Sequence, residues 1–273
     1  MAANTISTAF IEQFEADVHM AYQRQGSKLR NTVRTKNNVS NKTTFQKVAK
    51  GAASQKSRGG DVSPMNLAHT NVNVTLQDWY ASEYIDDLDE LRINIDERMV
   101  AASSGAWALG RKTDELITTA MDATTSTIAH GSAALTKAKV TSAFETLGNN
   151  DVPEDEGRFW VMGFQQWTDL MDITEFASLD YIGPGTGPWL DGVTAKRWLG
   201  FTMFAFSGLD VASSIRKTFA YHRSSIGHAI GADVELDVTW QGTKQAHLFV
   251  NKMQMNAVLI DANGIIEVSC QES

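Results

Sequence analysis

From Ile85 to Met121 the sequence reads IDDLDELRINIDERMVAASSGAWALGRKTDELITTAM, with no proline and only two glycines. Leu88, Leu91, Ile95, Met99, Ala102, Ala106, Leu109, Thr113, Leu116 and Ala120 follow one another at three- and four-residue steps, which places them on one face of a helix. As one helix the stretch would run about 54 Å at 1.5 Å per residue, longer than the roughly 30 Å of a small domain. A capping break at Asn94 to Asp96 would leave a rod of about 38 Å ending near Met121. At either length it is a spine that one globular core cannot bury end to end. Its middle, AASSGAWALG, is built of small residues around Trp107 and admits close approach of other backbone. A neighbouring chain segment is expected to cross Ala101 to Gly110.

At 273 residues there is material for one large or two smaller domains. No run of eighteen apolar residues occurs and the first residues lack a basic segment followed by an apolar one, so neither a membrane span nor a signal peptide is expected. Cys270 is the only cysteine, which excludes an internal disulfide and a cysteine-based metal cluster and fits a reducing cytoplasm. Charge is unevenly divided. Arg24, Lys28, Arg30, Arg34, Lys36, Lys42, Lys47, Lys50, Lys56 and Arg58 fall between Val18 and Gly60, where there is no Asp or Glu. The rest of the chain carries 14 basic against 32 acidic residues. Such an arm either neutralises phosphates on a nucleic acid or docks on the acidic body of another copy. Its charges are scattered singly rather than in a block, which favours the second reading.

Thr5 to Gln25 places Ile6, Phe10, Phe14, Val18 and Ala21 at helical spacing before Gly26, and predicts a short amphipathic helix that needs a surface to dock on. Leu29 to Val33, Thr43 to Ala49 and Asn71 to Trp79 read as strands, the last alternating Val72, Val74 and Leu76 with polar residues. Between the last two lies GAASQKSRGGDVSP, an exposed loop, so the whole is a long hairpin too poor in apolar residues to stand alone. After the spine, Leu135 to Leu147 reads as a helix with Ala138, Val140, Ala143, Phe144 and Leu147 inward, FWVMG as a buried strand and FQQWTDLMDITEF as a helix. WLGFTMFAFSGL is a strand pair around Gly200. Ala232 to Trp240, Gln245 to Leu259 and Ile265 to Val268 form a β-rich end with a turn at DANG. The order is α+β.

No constellation for catalysis assembles. GPGTGP at Gly183 to Pro188 lacks a Lys-Ser/Thr ending, and its prolines remove amides that would hold phosphate. His222 and His228 have the means to approach each other, but the six histidines show no metal-ligand spacing, and the serines lack a nucleophile elbow. Neither a cofactor nor a metal is expected. Asp114 and Glu115 read as surface or subunit contacts. Trp107, Trp160, Trp167, Trp198 and Trp240 read as core, whereas Trp79 and Trp189 flank loops and read as contact anchors.

GAWALGRKTDELITTAMDA, LTKAKVTSAFETLGNNDVPEDEGRFWVMGFQQWTDLM, WLGFTMFAFSGL and FVNKMQMNAVLIDANGIIEV occur in an order that resembles the major capsid proteins of tailed double-stranded-DNA bacteriophages, podovirus-type members in particular. The resemblance implies an amino-terminal arm over 1–32, an extended hairpin loop over 33–82, a peripheral domain with the spine helix over 83–150, a mixed axial domain over 151–231, and a β-rich segment over 232–273 returning to both. It implies a self-assembling structural protein, without enzymatic activity, whose pentamers and hexamers form an icosahedral virion shell. A separate scaffolding protein and a portal are its expected partners, and DNA is enclosed rather than tightly bound. The hairpin of one subunit would lie across its neighbour's spine. Lys42, Lys47, Lys50, Lys56, Arg58, Trp79, Ala102, Gly105, Ala106, Asp114 and Glu115 are the candidate inter-subunit contacts. Lys47, Lys50 and Lys56 also invite comparison with members that cross-link loop lysines to a neighbour's asparagine, although no partner Asn is identified. An encapsulating nanocompartment shares the fold, and a nucleic-acid-binding protein gripping phosphates with its basic arm is the alternative from another class.

Overall fold

The computed structural model describes residues 24–86, 97–177 and 195–272. The expected first helix up to residue 23, spine positions Leu88, Leu91 and Ile95, the break at Asn94 to Asp96, the GPGTGP loop and Trp189 lie outside the described residues. In chain order the strands are β1 (Arg34–Lys36), β2 (Lys42–Val48), β3 (His69–Thr75), β4 (Gln77–Asp86), β5 (Thr127–Ile128), β6 (Arg158–Met162), β7 (Lys196–Trp198), β8 (Phe201–Ala205), β9 (Val211–Ala212), β10 (Ile215–His222), β11 (Ile226–Gln241), β12 (Ala246–Leu259) and β13 (Ile265–Gln271). The helices are α1 (Glu97–Asp122), α2 (Lys137–Asn149), α3 (Phe164–Met171) and α4 (Thr174–Ala177).

Two sheets share the spine. The first runs β1-β11-β12-β4, with β1 parallel to β11 and the rest antiparallel. In β12, Phe249, Asn251, Met253 and Met255 are buried while the residues between them are half-buried, a period of two that follows from α1 covering one face. The second sheet runs β5-β13-β10-β6-β8-β7, with β9 also on β10. Its central strand β6 is covered on both faces, which is why RFWVM reads as a continuous apolar run. Trp160 and Met162 face α2 and α3, with Trp167, Leu170 and Phe201. Val161 faces the other side, with Phe219, Tyr221 and the α1 residues Ile117 and Met121.

α1 therefore serves both cores. Ala101 and Leu109 pack on the first sheet, Ile117, Ala120 and Met121 on the second. At 26 residues it is about 39 Å long. Its expected start at Ile85 is corrected: Ile85 lies in β4, one residue before its end, and is buried against Ala101 and Phe249. Met99, placed on the apolar stripe by its spacing, is 69% exposed.

β2 and β3 form the expected hairpin, whose base leans on its own subunit: Val39, Phe45, Val74 and Leu76 pack with Ala229 and Ile260 on the face of the first sheet away from α1. The expected single strand over Asn71 to Trp79 is two, since β3 pairs with β2 and β4 with β12. Leu29 to Val33 is not a strand but a 3-10 turn at Arg30–Thr32, with Thr32 N–H donating to the Leu29 carbonyl at 2.9 Å. Ala138 is exposed and Lys139 is buried, its Nζ donating to the carbonyls of Ala133 (2.7 Å), Ala134 (2.9 Å) and Ser269 (3.1 Å). The long stem of Lys139 crosses apolar surface to reach them, which residue type alone does not reveal. The turn at Gly200 forms as expected: Leu199 and Gly200 both have positive φ (47° and 78°), the geometry of a tight hairpin between β7 and β8.

Candidate inter-subunit surface

Asp114 was expected at the surface and is fully buried in α1. Its carboxylate accepts from Ser27 Oγ at 2.5 Å, from Lys28 N–H at 3.2 Å and from Leu29 N–H at 3.0 Å, with Arg24 Nε at 3.5 Å. One carboxylate thus fixes the point where the amino-terminal segment meets the body. The two amides belong to the turn that displaces the expected strand. Nearby, Thr32 Oγ1 and the Tyr221 hydroxyl are hydrogen-bonded inside the second core, and burial raises the pKa of Tyr221. Glu115, the next residue, is exposed and pairs with Lys112 at 2.6 Å.

The small-residue middle of α1 is partly filled from within the subunit. A Cβ at Gly105 would collide with the side chain of Asn251 on β12. A Cβ at Gly110 would lie 2.6 Å from the carbonyl carbon and 2.7 Å from the Cα of Gly26. Ala102 and Ala106 are half-buried, and Ala106 and Gly110 line a cleft with Val234 of β11. In an ordinary helix interior Gly→Ala gains about 1 kcal/mol. Gly110→Ala is expected to do the opposite, losing about 1–3 kcal/mol in urea denaturation, because backbone rather than a flexible side chain must move. A stabilised variant would show that Gly26 does not rest on the helix.

The hairpin lysines are divided between inner and outer roles. Lys47 pairs with Asp261 at 2.6 Å and Lys50 with Asp151, both acids of the same subunit. Lys42 is exposed at the start of β2, and Lys56 and Arg58 are exposed in the loop 49–68. Val62 of that loop is also exposed, while Met65 and Leu67 rest on Gly51 and are partly open. Trp79 is half-buried against Leu109 and Met253, with Lys112 Nζ 4.3 Å from its ring, so it anchors the inside of the subunit. Among the described residues, the structure brings Trp79, Gly105 and Asp114 together around α1 and leaves Lys42, Lys56 and Arg58 outside.

Sequence reasoning missed one surface. Val234, Leu236, Val238 and Trp240 of β11 are 38%, 47%, 47% and 42% exposed. Trp240 is thus not core; its ring centroid lies 4.8 Å from that of His247 across the strand pair, the two rings tilted at 60°. Alternation with Asp233, Glu235 and Asp237 announced a two-faced strand, but nothing local tells whether the apolar face is covered. The histidines also part company. His222 bonds Asp155 at 2.9 Å and Ser224 at 2.7 Å, and the Gly157 amide, followed by His222, lowers the pKa of Asp155. His228 is buried elsewhere, on β11. The Cys270 thiol is buried and its pKa is pushed up to about 11 by burial, leaving it unreactive.

From residue 6 to residue 272 the chain matches the family model described as "Phage capsid protein". A search of curated proteins returns no match. Among solved structures it is similar to the capsid of the cyanophage P-SCSP1u, at 16% identity and a TM-score of 0.74 over 97% of this chain and 94% of that one. It is similar to a chain of Mycobacterium phage Che8, at 16% identity and a TM-score of 0.72 over 95% and 97%. A capsid of a native GTA particle follows at 12% identity and a TM-score of 0.73, over 100% and 99%. At such identities the solved structures speak for the fold. The family model spans nearly the whole sequence, spine, hairpin and both sheets included: the chain belongs to the phage capsid protein family and is a structural protein of the phage capsid, not an enzyme.

Proposed function

We propose that copies of this chain assemble into pentamers and hexamers of the shell, each hairpin reaching a neighbouring subunit. The observation that carries this reading is the hairpin itself. Its base is packed on its own sheet, while its loop exposes Val62, Lys56 and Arg58 and leaves Met65 and Leu67, which rest on Gly51, partly open. One such contact is modest, and repetition around a closed shell multiplies it. The same reading takes 83–150 with the spine as a peripheral domain, 151–231 as an axial domain and 232–273 as returning to both, although β5 and α2, which fall within 83–150, pack with the second sheet. A podovirus-type particle, a separate scaffolding protein and a portal belong to the same reading, and DNA is enclosed rather than gripped. In support of the last point, Arg24, Arg30, Lys47 and Lys50 are already paired with Asp114, Asp233, Asp261 and Asp151 of the same subunit. Negative-stain imaging of the purified protein with scaffold is expected to show capsomers or shells. A strictly monomeric species in every condition contradicts the reading. A nucleic-acid-binding protein engaging half of the ten basic residues would instead show a log-log salt slope near about −4 in filter binding, without assembly.

Charge reversal at Lys47, Lys50 and Lys56 is expected to reduce particle yield while the subunit stays folded. One partly exposed pair and one largely exposed, solvent-screened pair become repulsions at a cost of about 1 kcal/mol in all, small beside a domain's stability. Shells forming at wild-type yield from the triple variant would remove the hairpin lysines from assembly.

A further inference from the structure

We infer that the cleft where β1 meets the start of β6 and the end of β10 is a site for a small phosphate ester carrying a flat apolar group, gripped by Arg34 and Arg223 and floored by Phe159. Three segments wall it: Val33 to Thr35 around the start of β1, Asp155 to Gly157 just before β6, and His222 to Ser224 at the end of β10. The last two are tied together by the main chain, since Arg223 N–H donates to the Gly157 carbonyl at 2.8 Å. The His222 ring, held between Asp155 and Ser224, ties them again through side chains. The cavity so enclosed is about 790 Å³, within the roughly 300–1,000 Å³ of small-molecule sites. A volume of that order suits one small molecule.

Charge decides what that molecule is. Both acids of the cleft are already satisfied: Asp155 accepts from the Gly157 amide at 2.7 Å and from His222 Nε2 at 2.9 Å, and Glu156 accepts from Arg197 at 2.9 Å. His222 Nδ1 accepts from the Ser224 amide at 3.3 Å, so the ring proton is assigned to Nε2 and goes to Asp155. The arginines are not balanced in this way. Arg34 lies over the Phe45 ring at 5.7 Å, Arg223 Nε lies 3.5 Å from the Val33 carbonyl, and neither pairs with a carboxylate among the described residues. Two exposed guanidinium groups lining one cleft match a dianion, and each presents a planar fork that fits phosphate oxygens two at a time. A phosphate monoester carries about −1.5 to −2 charge at pH 7, whereas a carboxylate carries a single one. Thr35 adds a hydroxyl to the same wall. The rest of the ligand meets Phe159, which is half-buried and tilted at 32° against Tyr221 with ring centroids 6.0 Å apart, leaving part of its ring to the cleft. An aromatic surface beside guanidinium groups favours a planar group such as a nucleobase. Once filled, the cleft joins β1, from which the hairpin leaves, to the second sheet.

AMP is the probe. Titrated calorimetrically into the full-length protein in phosphate-free buffer, it is expected to bind at one site per chain with a Kd below about 1 mM. Inorganic phosphate should bind at least about tenfold more weakly, because it has nothing to lay on Phe159. Arg34→Gln and Arg223→Gln are each expected to weaken AMP about tenfold, the loss of one charge-assisted contact, with the unfolding midpoint of the unliganded protein unchanged because both side chains are exposed. Phe159→Leu should weaken AMP and leave inorganic phosphate unaffected, a split that general loss of structure does not produce. AMP binding retained by Arg34→Gln/Arg223→Gln protein overturns the inference, as does an absence of AMP binding to wild type. Inorganic phosphate binding as tightly as AMP leaves a bare anion site and overturns it too. Duplex DNA displacing AMP with a salt slope of several charges assigns the arginines to a nucleic-acid backbone and likewise overturns it. The titration reads ligand binding alone, so a negative result leaves the shell reading standing.

Discussion

Asp114→Ala is expected to cost about 3–5 kcal/mol of folding stability, the range for removing one member of a buried charged network. The carboxylate is wholly buried, and alanine offers no acceptor to Ser27 Oγ, Lys28 N–H and Leu29 N–H. Arg24 also loses its counter-ion, and its buried Nε has no other partner among the described residues. Each orphaned donor carries its own desolvation penalty, about 1–3 kcal/mol, so the loss exceeds that of one ordinary hydrogen bond. Asp114→Asn keeps an acceptor oxygen for one amide and is expected to lose roughly half as much. Urea denaturation with an unchanged m-value measures the difference. Tryptic cleavage at Lys28 and Arg30 should accelerate in parallel, because the turn that shelters them loses its anchor. A variant within about 1 kcal/mol of wild type would mean that the amino-terminal segment is held elsewhere.

Asp114 also illustrates how much of this architecture was legible in the sequence. The helical period from Ala102 to Ala120 identified the spine, and the alternation in Val72, Val74 and Leu76 identified one side of the hairpin, because both are local consequences of backbone geometry. The spine's excess length led to the expectation that a neighbouring chain segment crosses it. What it did not reveal is that a second sheet inside the subunit takes its carboxy-terminal half. A charged residue on a helix reads as solvent-facing by type, and only a segment 85 residues away, folded back onto it, makes Asp114 internal. The same reason hid the β11 stripe. Whether Val234, Leu236, Val238 and Trp240 face a core or open space depends on where sheets end, which no window of a few residues contains. Ile85 went to a strand rather than the helix because its partners, Ala101 and Phe249, are set by tertiary pairing.

Acidification is expected to remove up to about 3 kcal/mol of stability through one imidazole. His228 is wholly buried in β11, opposite Thr35 of β1, and neither ring nitrogen has a partner among the described residues. Burial lowers its pKa to about 4, the Arg30 guanidinium acts in the same direction, and Asp233 opposes both. Asp233 is itself held below the usual carboxylate range by its hydrogen bond from Arg30, so it stays ionised through most of this window. In the unfolded chain the imidazole titrates near its ordinary 6.5. Between the two values the unfolded state holds the extra proton. Stability is therefore full above about pH 6.5 and falls as pH drops towards 4, by at most about 1.4 kcal/mol per unit. His228→Leu removes the proton and fills a similar volume, so its stability at neutral pH should equal or exceed that of wild type. The difference between the two proteins, followed by urea denaturation from pH 7.5 to 4.5, should grow by about 2–3 kcal/mol; every carboxylate common to both cancels. Parallel curves would show that His228 finds a partner or water when folded. Because β1 joins β11 only at Gly227 to Ala229, the proton is expected to act at the joint from which the hairpin leaves the body. Hydrogen exchange at Thr35 and Ala229 should therefore quicken before exchange in α2 or β6, and a uniform acceleration would instead place the acid-sensitive group in the second core.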